Sequence, residues 1–154
     1  MQTTIASKLA AVGYATHQIG KWDCGMATFR HTPLGRGYST SFGYFHHSND
    51  YWDETLNRCT DSGGATRFPV DLWLTDMPAH GLNGTTNGSA IEDYEEWKFG
   101  QRAVSIIESH APSTPLFLNY DFHIAHEKLE VPDEYANKSG NMAAWKVGAG
   151  RFSS

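Results

Sequence analysis

The chain has 154 residues, 40% hydrophobic, 13% aromatic and 19% charged, the composition of a folded globular domain and not of a wholly disordered chain. Its net charge is −5 with Lys and Arg scattered along the sequence, so there is no basic stripe to bind nucleic acid. No apolar run approaches the roughly 20 residues that span a bilayer, which removes a membrane partner, and Met1 to Ala11 lack the basic and apolar regions of a signal peptide.

Thr4 to Val12 sets Ile5, Leu9 and Val12 on one face at helical spacing, with Gly13 as a left-handed stop, and predicts a short amphipathic helix. Tyr14 to Ile19 predicts a strand from its Tyr, Thr and Ile content, so Gly20-Lys21-Trp22 leaves its carboxyl end. From Trp22 to Gly88 the chain is dense in Gly, aromatic and polar residues without a sustained period, which is long for an idle connection inside a domain. Ser89-Ala90-Ile91-Glu92 has the form of a capping box, and Tyr94, Trp97, Val104 and Ile107 continue one helical face to about His110. Pro112 and Pro115 close that helix, and Leu116-Phe117-Leu118-Asn119-Tyr120 predicts a buried, parallel strand.

Helix, strand, excursion, helix, strand is the order of an open α/β sheet, mostly parallel and flanked by helices, in which ligands bind beyond the carboxyl ends of the strands. Lys21 and His126 both belong to that edge. After Tyr135 the sequence turns Lys-, Gly-, Ala- and Ser-rich, with Met142 to Trp145 its only helix-like patch. The expected organisation is one domain over residues 1–135 and a poorly ordered tail over 136–154.

Five features carry candidate chemistry. Lys21 and Asp23, two apart in a glycine-bounded turn after a strand, read as an anion clamp: Lys21 a point charge for a sulfate- or phosphate-like group, Asp23 orienting it or handling a proton. The alternative is a solvated turn with an incidental ion pair. His123 and His126, three apart, do not form H-E-x-x-H, so a single polar histidine at the sheet edge is favoured over a shared metal. His46 to Asp53 mixes imidazole, carboxylate and aromatic groups suited to a sugar face, or to an Ω-like loop that packs its own rings. Cys24 and Cys59 lie in no C-x-x-C pair and read as free or singly paired thiols. Asn83, Asn87 and Asn137 each open an N-glycosylation sequon, two of them in one loop whose composition generates the pattern by itself.

Ala11 to Trp22 resembles the "aGY.T...GKWHLG" segment of sulfatases. Thr32-Pro33-Leu34-Gly35-Arg36-Gly37-Tyr38 with Phe42-Gly43-Tyr44 is similar to their "P..RGFD..FGY" stretch, and Asn49-Asp50-Tyr51-Trp52 to the "..DYY" of arylsulfatase B-like members. Pro115-Leu116-Phe117-Leu118, then His126-Glu127 and Val131-Pro132, resembles the later "PLFLYL....HEP...P" block. These blocks come in family order over about residues 2 to 135.

The resemblance implies the alkaline-phosphatase-like α/β fold and hydrolysis of sulfate esters by a formylglycine hydrate beside a calcium ion. It implies that Lys21 contacts the sulfate and that His126 binds a sulfate oxygen or assists the leaving group. The family's C/S-x-P-x-R nucleophile motif, its calcium-binding Asp pair and its Asp-Asn-Gly are absent from this sequence, and position 23 is Asp where the family pattern has His. The chain is therefore expected to be an internal segment of a sulfatase N-terminal catalytic domain, inactive alone. It would supply Lys21, His126 and a candidate Asp23, but no metal ligand and no nucleophile. The implied substrate is a sulfated small molecule or glycan, and the implied location of the full-length parent is secreted or lysosomal. A phosphatase or phosphodiesterase of the same superfamily and a non-catalytic sulfated-glycan-binding protein are the alternatives.

Overall fold

The structure is a computed structural model and describes residues 3–56, 59–60, 62–79, 91–126, 130–132 and 135. Helix α1 (Ile5–Ala10) starts at Thr4, whose hydroxyl accepts the Ser7 amide N–H at 3.1 Å. The hydroxyls of Thr4 and Ser7 both donate to the Arg36 carbonyl, so the first turn lies close against the chain entering the second strand. Ala6 is fully buried while Ile5 and Val12 stay exposed, so the apolar face expected from spacing is not the one that packs.

Strand β1 (Ala15–Lys21) pairs in parallel with β2 (Thr40–Tyr44) on one side and with β7 (Leu116–Asp121) on the other. Between β2 and β7 come a small antiparallel ribbon, β3 (Cys59–Thr60) with β4 (Thr66–Arg67), and a tight hairpin, β5 (Trp73–Leu74) with β6 (Met77–Pro78). The hairpin adds antiparallel to β2 and gives a five-stranded sheet in the order β6-β5-β2-β1-β7. The excursion after Trp22 thus holds a strand at the heart of the sheet that sequence periodicity did not reveal.

Side chains alternate across this sheet as a period of two requires. Ile19, Phe42, Tyr44, Leu116 and Leu118 face α2 (Glu95–Ser109) and pack with its Phe99, Ala103 and Ile106. Trp22, Phe45 and Phe117 face the other way and pack with Ala6 and Tyr38. The expected α/β architecture, a mostly parallel sheet flanked by helices, is present. Of the face expected for this helix, Tyr94 is buried at its N-cap, but Trp97, Val104 and Ile107 are exposed and the stripe one step round α2 is buried instead.

Two glycines hold the carboxyl ends of the parallel strands together. Gly20 has φ +91° and faces Asp121 so closely that a Cβ there would stand 1.9 Å from the Asp121 carbonyl oxygen; a Cβ on Gly43 would stand 2.0 Å from the Gly20 oxygen. The register sets Gly20 opposite both Gly43 and Asp121, and Lys21 opposite Tyr44.

No helix among the described residues is long and apolar enough to cross a membrane. Cys24 and Cys59 are both free and exposed. The three sequons, Ser89 and Ala90 of the capping box, Glu127, Lys128 and the segment 136–154 with Met142 to Trp145 lie outside the described residues.

Candidate functional site

Lys21 ends β1, and alternation sends its side chain to the face opposite Trp22. The Trp22 indole N–H donates to the carbonyls of Gly25, at 2.9 Å, and His31, at 2.8 Å, and its ring meets Tyr38 edge-on, which anchors the turn that follows. Asp23 takes φ +44° and folds back, placing Oδ2 3.8 Å from Lys21 Nζ. His47, from the loop after β2, brings Nδ1 to 3.3 Å from that same carboxylate oxygen and 3.4 Å from Lys21 Nζ. The His126 ring, beyond β7, meets His47 edge-on with centroids 5.6 Å apart. The carboxyl ends of three neighbouring parallel strands therefore gather Lys21, Asp23, His47 and His126 at one place.

Buried carboxylates hold the two loops. Asp71 accepts the backbone N–H groups of Phe45 at 3.0 Å and His46 at 2.8 Å and the Trp73 indole N–H at 2.8 Å, and its Oδ2 lies 2.9 Å from His46 Nδ1. That fixes where the chain leaves β2. Glu96, in the first turn of α2, accepts the amide N–H groups of His123 and of Ile124, the latter at 3.2 Å, and so fixes the approach to His126. Glu95 lies 2.8 Å from His123 Nδ1 and accepts the Asn49 amide at 2.6 Å, tying both loops to the helix.

His123 belongs to this support and not to the open edge. It is buried, with Tyr51 stacked on its ring at 4.0 Å, and burial pushes its pKa down to about 4. Burial also pushes Glu95 well above the usual carboxylate range. Glu95 takes the Nδ1 side of His123, and the His123 and His126 rings stand with centroids 6.0 Å apart.

Calcium, which the resemblance implies, takes about six to eight oxygen ligands. Asp71 is occupied by N–H donors, Glu95 by His123 and Asn49, and Asp121 by the Asn119 amide at 2.5 Å. These three carboxylates are committed to nitrogen partners and are not free to hold that ion.

The loop from His46 to Asp53 settles into the second of its two readings. Tyr51 and Trp52 are buried against Tyr94, so this loop packs its own rings and offers no aromatic sugar platform. Its exposed contribution to the edge is His47, on which sequence reasoning placed no separate weight. The only signal was the pair His46-His47 after a Phe-Gly-Tyr run, and nothing in the spacing joins it to Asp23 across 24 residues.

No protein-family model matches the chain. Arylsulfatase J of Mus musculus is 35% identical over 132 residues, 86% of this chain and 20% of that protein. An arylsulfatase of Klebsiella aerogenes is 24% identical over 140 residues, 88% of this chain and 26% of that protein. The chain thus spans about a fifth to a quarter of the length of these curated relatives. The crystal structure of Ps i-CgsB superposes with a TM-score of 0.65 at 18% identity, over 92% of this chain and 30% of that one. Its complex with k-i-k-neocarrahexaose gives 0.62 at 18% identity, over 91% and 30%. The agreement with two arylsulfatases over nearly the whole chain, on a fold that matches independently, identifies the chain as a segment of the sulfatase family.

Proposed function

We propose that this chain supplies the sulfate-binding edge of a sulfuric ester hydrolase acting on a sulfated sugar or an aryl sulfate. The observation that carries the reading is the Lys21 ammonium, held at the carboxyl end of the central parallel strand with Asp23, His47 and His126 gathered around it. A compact cation with three donors meets a sulfate oxygen without needing a fixed fork, and partial burial strengthens the attraction. His126 completes the contact on the far side, where it binds a sulfate oxygen or assists the leaving group. Asp23 remains a candidate in the same site.

Two features favour sulfate over phosphate and a sugar over a bare aryl group. A sulfate monoester carries one negative charge and a phosphate monoester approaches two near neutral pH, so a carboxylate 3.8 Å from the binding lysine penalises phosphate more. A structural neighbour was solved with k-i-k-neocarrahexaose, an oligosaccharide, which supports a glycan substrate. A secreted or lysosomal parent, glycosylated at its sequons, goes with the family and with such a substrate.

The sequence has no C/S-x-P-x-R motif, so this chain by itself is expected to bind and not to turn over. Titration of the chain with phenyl sulfate and phenyl phosphate, followed by NMR, tests the proposal. Sulfate is expected to bind more tightly, and Lys21→Met to weaken it roughly tenfold or more, the size of one charge-assisted contact. Absence of phenyl sulfate binding, or equal binding by Lys21→Met, would overturn it.

A further inference from the structure

We infer that His47 is a sulfate-contacting residue of this site, and that Asp23 is a positioning residue acting through it. The inference rests on the sulfate-binding reading above and adds to it a group, and a role for Asp23, that the spacing of the sequence does not contain.

His47 Nδ1 stands between two partners, the Asp23 carboxylate at 3.3 Å and the Lys21 ammonium at 3.4 Å. It can donate to the first or accept from the second, not both. Donation to the carboxylate is the shorter of the two contacts and the one that leaves every Lys21 donor free for an anion. Lys21 keeps its attraction to Asp23 at 3.8 Å and its donors stay free for an incoming anion. The carboxylate therefore fixes the Nδ1–H tautomer and turns Nε2 away from itself. The exposed ring has Lys21 and Asp23 beside it from β1 and the His126 ring against it from beyond β7.

Charge then decides what Nε2 does. Lys21 and Asp23 cancel, so an entering sulfate monoester brings one uncompensated negative charge to the site. A proton taken from solvent onto Nε2 brings the sum to zero, gives the sulfate a second charged donor, and leaves the imidazolium held by Asp23 through Nδ1. Asp23 stands where the family pattern quoted above has histidine. Here an imidazole comes to the same carboxylate from the loop after β2.

The test is calorimetric titration of the whole chain with phenyl sulfate near neutral pH, in buffers of different ionisation enthalpy, combined with long-range nitrogen–proton spectra of the histidines. The free chain is expected to hold His47 as the Nδ1–H tautomer, and binding to take up as much as one proton. His47→Ala should bind roughly tenfold more weakly and lose the proton uptake. Asp23→Ala should move free His47 to the Nε2–H tautomer and weaken binding similarly, while Asp23→Glu recovers part of both. Both side chains are exposed, so circular dichroism should show every variant folded. Phenyl sulfate binding with unchanged affinity and proton uptake in His47→Ala would overturn this inference and leave the proposed function standing. Weaker binding in Asp23→Ala without a change of tautomer would likewise overturn it. No binding by the unaltered chain would overturn both.

Discussion

Glu95 and His123 are buried 2.8 Å apart, and burial moves the pair toward its neutral forms, lowering His123 to about 4 and raising Glu95. The sign of the pH dependence follows from counting protons. Unfolded, the two groups titrate near 4.5 and 6.5, so between these values the unfolded pair holds one proton, on His123. Folded His123 has given up its proton above about 4, so on its account stability rises with pH toward 6.5, whereas the raised Glu95 carboxyl keeps a proton that an unfolded carboxyl has lost, so on its account stability declines as pH rises. Glu95→Gln keeps an acceptor for Asn49 and a donor for His123 Nδ1, and should flatten that decline. Urea unfolding from pH 6 to 8 checks it, and parallel decline of both proteins would refute it. Residues such as Lys21 and Asp23 were legible because their partnership is two positions long and follows a strand. The pairs His47–Asp23 and Glu95–His123 were not, since 24 and 28 residues separate the partners and only strand order brings them together.

Helix α2 carries apolar side chains on two faces, and its periodicity alone does not say which is inward. Phe99, Ala103 and Ile106 stand three and four apart, as good a helical stripe as Trp97, Val104 and Ile107. What selects the first is the aromatic floor it meets: Phe99 lies edge-on to Phe42 at 5.5 Å and stacks over Tyr44 at 6.4 Å. Phe99→Ala should therefore cost about 3–5 kcal/mol, and Ile107→Lys should stay within about 0.5 kcal/mol of the parent. Chemical denaturation of the two variants reads this directly, and comparable losses would put the core on the wrong side. β1 and β7 were visible as β-rich or apolar runs close to their true bounds. β2 was hidden because Gly43 dilutes its apolar pattern, yet that glycine is what lets β2 approach Gly20. Gly43→Ala is expected to destabilise by more than about 2 kcal/mol, since its Cβ would meet backbone at 2.0 Å and the strands cannot part without breaking register.

The sheet as a whole has two unlike edges. β6 is two residues long and ends in Pro78, a combination that blunts further pairing. β7 is six residues long, carries neither proline nor lysine, is only half-buried along its length, and among the described residues pairs with β1 alone. Parallel strands are ordinarily covered on both sides, and the α/β order read from the sequence implied such a layout without saying which strand lies outermost. Strand order is set by the two crossovers, whose paths local composition does not encode. A six-residue edge strand without such protection should self-associate through β7. Sedimentation velocity should show mass rising with concentration, and Asn119→Lys, a charge on the edge beside Asp121, should hold the chain closer to monomer with an unchanged far-ultraviolet spectrum. A parent chain that stays monomeric as concentration rises would mean that this edge is already protected.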